Sequence, residues 1–452
     1  MYTFISLNHI HIFATAHAMS WFNIFCLFLL IQTLFYTKSH AVVPADKTFK
    51  FVNQGDFGEF IVEYDGTYRT LSVFNSPFQL CFYNTTPNAY TLSLRMANTR
   101  SESLFRWVWE ANRGKPVKEN ATLTFGQDGN LVLADSDGRV TWQTATANKG
   151  VVDFKVLPNG NMVLLNSNGS FVWQSFDSPT DTLLIGQSLR VGAAVKLVSR
   201  ASELDNSDGP YSLELEPNKG LSWFYQPKNS PKPLLYFSTL YNEFGLVVPG
   251  ESIQFHIWTE TDASDVLVRS YLSFDRFNAI TNYNGTLSLL RLGIDGRLRI
   301  FTYNDKVDSS AWEEVFTQFI SRRWYTEIGQ ECQLPEKCGK FGLCSKNQCV
   351  ACPTEKGLLG WSEECELKKV SSCKPTDFHY YKLEGVEHFV SQFTRGSSVN
   401  EMDCGKKCTS DCKCLGYFYY RESSRCWNVF DIKTLRKANN SSHVGYIKVS
   451  NK

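Results

Sequence analysis

Two stretches of the chain, Asp128-Gly-Asn-Leu-Val-Leu-Ala-Asp-Ser-Asp-Gly-Arg-Val-Thr-Trp-Gln-Thr144 and Asn159-Gly-Asn-Met-Val-Leu-Leu-Asn-Ser-Asn-Gly-Ser-Phe-Val-Trp-Gln-Ser175, align without a gap at a spacing of 31 residues. Their glycines (Gly129 with Gly160, Gly138 with Gly169), their asparagines (Asn130 with Asn161) and their Trp-Gln pairs (Trp142-Gln143 with Trp173-Gln174) coincide. A fixed internal period marks one supersecondary unit used more than once. Each copy reads as strand, Asx-Gly turn, strand, because alternating apolar residues are interrupted where a left-handed turn residue is needed. Such a unit cannot bury its apolar face alone, so the repeat implies several small sheets packed around a shared core.

Working outward, Phe49-Lys-Phe-Val52, Phe60-Ile-Val-Glu-Tyr64, Thr70-Leu-Ser-Val-Phe74, Gln79-Leu-Cys-Phe-Tyr83 and Trp107-Val-Trp109 read as further strands. From 187 to 328 the pattern recurs more loosely, in Tyr211–Glu216, Leu221–Tyr225, Val266–Leu272, Thr286–Leu292 and Leu298–Tyr303. Asp295-Gly296 separates two of these strands as Asp128-Gly129 does earlier, which reads as a diverged second copy. Aromatic residues make up 14% of the 452-residue chain and Gly, Asn, Asp and Ser punctuate it throughout, which argues for an all-β fold. Forty-six basic against forty-five acidic residues leave no basic stripe for nucleic acid or an anionic membrane.

The apolar run Trp21 to Phe35, followed by Lys38 and Ser39-His-Ala41, reads as a secretory signal peptide spanning 1–41 and cleaved near Ala41, with Met19 as an alternative start. After cleavage no membrane anchor is expected, so the product should be secreted to the extracellular space. Six Asn-x-Ser/Thr sequons fit that address: Asn84, Asn120, Asn168, Asn284, Asn439 and Asn440. The cysteines divide the chain. Cys26 leaves with the leader, Cys81 stands alone, and twelve fall between Cys332 and Cys426. In an oxidising compartment these are expected to form disulfides in modules too small to fold on a hydrophobic core alone. Spacing cannot choose among the connectivities. Cys404-x3-Cys408-x3-Cys412 would place cysteines on one helical face, and no metal site is expected.

Val108-Trp-Glu-Ala-Asn-Arg-Gly-Lys-Pro-Val117, the two Asx-Gly-Asn units and Trp173-Gln-Ser-Phe-Asp-Ser-Pro-Thr-Asp-Thr182 resemble the bulb-type mannose-binding lectin domain. Cys338-Gly-Lys-Phe-Gly-Leu-Cys344 is similar to the S-locus glycoprotein and EGF-like region, and Cys373 onward resembles a PAN/apple domain. The order is that of an S-domain receptor ectodomain without the kinase, and Cys81-Phe-Tyr-Asn-Thr-Thr-Pro-Asn-Ala-Tyr90 resembles the secreted epidermal glycoproteins of plants. The resemblance implies tandem β-prism II domains at 42–186 and 187–328, an EGF-like module at 329–370 and a PAN/apple domain at 371–449. It also implies the disulfides Cys332–Cys344, Cys338–Cys349, Cys352–Cys365, Cys404–Cys426 and Cys408–Cys414, with Cys373 left to Cys412.

In that family the sugar site is Gln-x-Asp-x-Asn-x-Val-x-Tyr on one strand, where alternate side chains share a face and meet one sugar together. Asp128, Asn130 and Val132 match in the first copy, with Gly126 and Ala134 at the glutamine and tyrosine positions. In the second, Asn161 and Val163 match, and Asn159 stands at the aspartate position between Leu157 and Leu165. The expected function is non-catalytic recognition of mannose-type glycans or glycoproteins of the cell wall, without a cofactor. The alternative is an adaptor that binds wall enzymes or receptor ectodomains through its C-terminal modules. The sequence holds no Gly-x-Ser-x-Gly, His-Glu-x-x-His or Walker pattern, and Asp177 and Asp181 read as turn and strand caps.

Overall fold

A computed structural model describes residues 42–451 apart from 99–103, 193–194, 229, 231, 240, 243–244, 247–251, 262–267, 321–329, 355–356, 364, 366–369 and 371–373. The expected leader at 1–41 and Cys373 therefore lie outside the described residues. The rest is nearly all β, with one α-helix, α1 (Glu401–Ser410), among the described residues.

The first unit holds three sheets. Thr67–Asn75, Phe78–Asn84, Thr91–Met96 and Arg106–Glu110 form an antiparallel four-stranded meander. Phe49–Val52, Thr122–Phe125, Leu131–Ala134 and Val140–Gln143 form a second, and Val151–Val156, Met162–Asn166 and Phe171–Gln174 a third of three strands. The two repeat copies are the last hairpins of the second and third sheets. Each sheet contributes one tryptophan to a triangle on the unit's axis: Trp109, Trp142 and Trp173, with ring centroids 5.6, 6.2 and 6.0 Å apart and edge-to-face tilts near 75°. The Trp of the repeat thus has its third copy in Trp109. Around it pack Leu80, Leu92, Leu94, Leu123, Leu133 and Leu164, all nearly inaccessible. Burying side chains of this size stabilises by about 1.5–3 kcal/mol each.

The second unit repeats the plan. Leu197–Arg200, Asp208–Glu216, Gly220–Tyr225 and Leu234–Ser238 form its first sheet, and His256–Thr261, Val268–Phe274 and Phe277–Thr281 its second. Its third sheet is Ser288–Leu292, Leu298–Tyr303 and Trp312–Thr317, extended by Thr182–Leu184 on the far side of Ser288–Leu292. The last strand before residue 186 therefore belongs, by its hydrogen bonds, to the sheet of the second unit. Leu183 faces the second core and Leu184 the first, so this strand stitches the two together.

Charge reinforces that seam. Arg200 of the second unit reaches Glu110 at 2.9 Å and the Tyr83 hydroxyl at 2.8 Å. Arg291 reaches Glu63 at 2.7 Å and the carbonyl of Trp107 at 2.6 Å. Buried ions persist only when paired and hydrogen-bonded, and losing one partner of such a pair costs about 3–5 kcal/mol. The shared strand and these pairs together join the two units.

The C-terminal region forms two five-stranded sheets. One runs Gly357–Gly360, Gln348–Thr354, Leu343–Ser345, Leu435–Lys437 and Val386–His388, and so crosses the expected boundary at 370 between the EGF-like and PAN/apple modules. Phe341, Leu343, Val386, Phe418, Ile432 and Leu435 share one core across that boundary. Disulfides join Cys332–Cys344, Cys338–Cys349, Cys352–Cys365, Cys404–Cys426 and Cys408–Cys414, and Cys412 is also disulfide-bonded. Asn400 caps α1 by accepting from the Asp403 N–H, and Cys404 and Cys408 face inward from it. The helix ends at Ser410, where Asp411 turns to extended backbone, so Cys412 lies beyond it rather than on the same helical face. The Cys408–Cys414 link requires that reversal of the chain.

Candidate functional site

The two Asx-Gly-Asn turns are built alike. Gly129 takes φ +78° and a Cβ there would sit 2.6 Å from the Val151 side chain; Gly160 takes φ +84° and would meet Leu184 and Phe78 at the same distance. Left-handed backbone and close approach together demand glycine. The carboxylate of Asp128 accepts from the Asn130 N–H at 3.1 Å, and the amide oxygen of Asn159 accepts from the Asn161 N–H at 3.2 Å, each closing an Asx turn.

The asparagines that follow point inward. Asn130 is 6% exposed; its amide nitrogen donates to Gln143 Oε1 at 2.8 Å, and its amide oxygen accepts from the Thr144 hydroxyl at 3.0 Å and the Thr146 N–H at 3.1 Å. Asn161 repeats this, donating to Gln174 Oε1 at 2.8 Å and accepting from the Ser175 hydroxyl and the Phe176 N–H, both at 3.3 Å. Each asparagine staples its turn to the partner strand and to the chain leaving it. An amide has two donors and two acceptor lone pairs. Three of the four are committed in each copy, which leaves one N–H.

The structure therefore brings Asp128, Asn130 and Val132 to one hairpin, with Asp128 exposed and Val132 half-buried. In the second copy Asn159 is exposed, Asn161 is buried and Val163 is wholly inaccessible, so no C–H patch is presented there. At the third Asx-Gly turn Arg299 binds Asp295 at 2.6 Å, and the Arg297 N–H also donates to it. Burial works to raise the Asp295 carboxyl, but the hydrogen bonds and charge of Arg299 outweigh it and hold the group below its ordinary value. Of the staple partners, Gln143 and Gln174 show in the sequence only as the Trp-Gln coincidence between copies, and that coincidence does not mark Thr144 or Thr146.

Asp177 accepts from Gln174 Nε2 at 3.0 Å, and Asp181 accepts from the Thr182 hydroxyl at 2.8 Å. Asp177 thus serves a local contact, while Asp181 also pairs with Arg113 at 3.9 Å. Among the described residues, no His, Cys, Asp or Glu side chains cluster in a metal-holding arrangement. No described helix is long and apolar enough to cross a membrane.

A cleft of about 490 Å³ opens between the units, lined by Tyr83, Asn84, Thr86, Thr91, Leu204 and Asn206 among others. Two of its polar groups are engaged: Asn206 donates to the Thr91 hydroxyl at 2.9 Å, and the Asn84 amide oxygen accepts from the Thr67 hydroxyl behind the lining. Of the sequons, Asn84 is only 8% exposed. Asn120, Asn168, Asn284 and Asn439 are exposed, and half-buried Asn440 donates to Glu422 at 2.6 Å.

The D-mannose binding lectin family matches residues 106–201, the span that holds both hairpins and the Trp triangle. EP1-like glycoprotein 3 of Arabidopsis thaliana is 50% identical over 437 residues, covering 95% of this chain and 98% of its own. The chain belongs to the EP1-like glycoprotein family. The epidermis-specific secreted glycoprotein EP1 of Daucus carota is 56% identical, covering 76% of this chain and 93% of its own. A more distant relative, the G-type lectin S-receptor-like serine/threonine-protein kinase SD2-5 of Arabidopsis thaliana, is 27% identical over 83% of this chain but 44% of its own length. This member is accordingly a lectin-like glycoprotein with an S-domain ectodomain arrangement.

Proposed function

We propose that this EP1-like glycoprotein is a secreted, non-catalytic protein of the plant cell wall that recognises mannose-type glycans or glycoproteins weakly, through its first Asx-Gly-Asn hairpin. One observation supports placing the site there: Asp128 is exposed beside the remaining N–H of Asn130 and the half-buried Val132. The second hairpin has lost its apolar floor. A monosaccharide site of millimolar strength amounts to about −4 kcal/mol, and each hydrogen bond contributes roughly 0.5–1.5 kcal/mol net. Two bonds fall below that, so useful affinity requires several copies of the sugar on one glycan or surface.

Its test is retention of the secreted, glycosylated protein on immobilised mannan with mannose competition, beside an Asp128→Ala variant. Loss of retention in the variant supports the reading, and unchanged retention sinks it.

The adaptor reading is favoured by a separate observation. Gly357–Gly360 is the edge strand of its sheet, with Leu358 and Leu359 about half-exposed and Val350 and Trp361 exposed nearby. An apolar edge offers both unpaired backbone and contact surface to a protein. Capture of a wall enzyme or receptor ectodomain, insensitive to free sugar and weakened by Leu359→Lys, would identify that activity.

A further inference from the structure

The second sheet of the second unit carries no Asx-Gly-Asn turn, yet its outer face is unusual. Val268–Phe274 and Phe277–Thr281 alternate cleanly, with Leu272, Phe274, Phe277 and Ala279 packed inward. The outward positions bring Trp258, Tyr271 and Ile280 directly opposite one another across the three strands. Trp258 is 55% and Ile280 59% exposed, and the Trp258 and Tyr271 rings lie 4.8 Å apart at a 35° tilt. Three strands set this row about 10 Å long.

Polar groups border it on the same face. Glu260 stands opposite Arg269, and His256 opposite Ser273, with Asn278 next in register. The Tyr271 hydroxyl donates to Glu260 at 3.1 Å, which fixes the ring beside that carboxylate. One carboxylate directly faces one guanidinium, so the border suits a neutral ligand.

A stable protein interface buries roughly 800 Å² on each partner, far more than one row of three side chains offers. A pyranose ring needs only such a row, with hydroxyl partners at its edge. The stereochemistry selects further. In β-linked glucopyranose every ring substituent is equatorial, so both faces are C–H surfaces that lie flat on an aromatic row. The axial O2 of mannose interrupts one of its faces.

We propose that the Trp258–Tyr271–Ile280 row is a second carbohydrate surface, which binds neutral β-linked glucan chains by ring stacking, with Glu260, Arg269 and Asn278 bonding hydroxyls at its border. This surface is separate from the mannose-type hairpin. Its failure and that of the hairpin are distinguishable, because each has its own probe.

The test is isothermal titration of the full secreted protein with cellohexaose, and with mannan in parallel. Wild type binds cellohexaose; Trp258→Ala weakens it up to about tenfold, as loss of an aromatic stacking contact predicts, and Ile280→Ser weakens it by roughly threefold through lost apolar contact. Trp258→Phe retains most of it, and mannan retention is unchanged in all three. Two solvent-facing positions are used so that a fold defect in one variant, visible in its thermal unfolding, leaves the other to decide. No cellohexaose binding by wild type, or equal binding by Trp258→Ala and Ile280→Ser, overturns the proposal.

Discussion

Replacing Asn130 by alanine should destabilise the first unit, whereas replacing its neighbour Asp128 should not. Asn130 gives one hydrogen bond to Gln143 and accepts two, one of them from the backbone N–H of Thr146, a residue 2% exposed. Truncation leaves that N–H buried without its acceptor, at about 1–3 kcal/mol, and forfeits roughly 1 kcal/mol more with Gln143. The sum is about 2–4 kcal/mol, a fall in unfolding temperature on the order of 10 °C for a unit of this size. Asp128 is exposed and makes a single contact with the Asn130 N–H, so Asp128→Ala should cost under about 1 kcal/mol. Asn161→Ala should fall between them, because its accepted bonds are longer, at 3.3 Å. Calorimetry or urea unfolding of the three variants gives the ranking. If Asn130→Ala is no less stable than Asp128→Ala, the amide does not act as a staple.

Cys81 is unpaired and inaccessible, and burial, only partly offset by Arg95, pushes its thiol up to about 12. It should ignore a thiol reagent in the native protein and react once denatured; rapid native labelling would contradict this. Glycopeptide mass spectrometry should find glycans at exposed Asn120, Asn168, Asn284 and Asn439 but not at Asn84, whose amide is buried against Thr67; full occupancy at Asn84 would refute that packing. Burial, weakly opposed by the backbone of Asp431, holds the His388 imidazole down to about 3. Its unfolded value is about 6.5, so between these values only the unfolded chain takes up the proton. Stability should therefore fall as pH drops from 6.5 towards 3, by up to about 1.4 kcal/mol per unit, with no contribution from this group above that window. Urea midpoints measured between pH 4 and 7 should decline more steeply for wild type than for His388→Phe; parallel profiles would count against it.

Much of the fold was legible because local rules specify it. The Asx-Gly turns and period-2 strands announce hairpins, and the repeated tryptophan marks the residue each sheet sends to the axis. The inward turn of Asn130 and Asn161 was not legible. Alternation says which side chains share a face, but it does not say that Gln143 lies across from Val132 and within reach of the amide. Thr182–Leu184 reads locally as the end of the first unit, yet its partners Leu289 to Arg291 lie more than a hundred residues on. The same holds for Leu343–Ser345 pairing in parallel with Leu435–Lys437, which fuses two cysteine-rich modules into one sheet. The end of α1 at Ser410 is set by its surroundings, since a cysteine spacing of four residues fits helix and reversal equally well. The row of Trp258, Tyr271 and Ile280 needs the register of three strands before its residues become neighbours.

Retention of wild-type and Asp128→Ala protein on immobilised mannan, each with and without free mannose, tests glycan recognition most directly. We expect weak, mannose-inhibitable retention of the wild type, lost in the variant, whose fold the exposed Asp128 barely supports. Wild type that runs through the mannan column unretained, or an Asp128→Ala variant held as firmly as wild type, would contradict a working first hairpin.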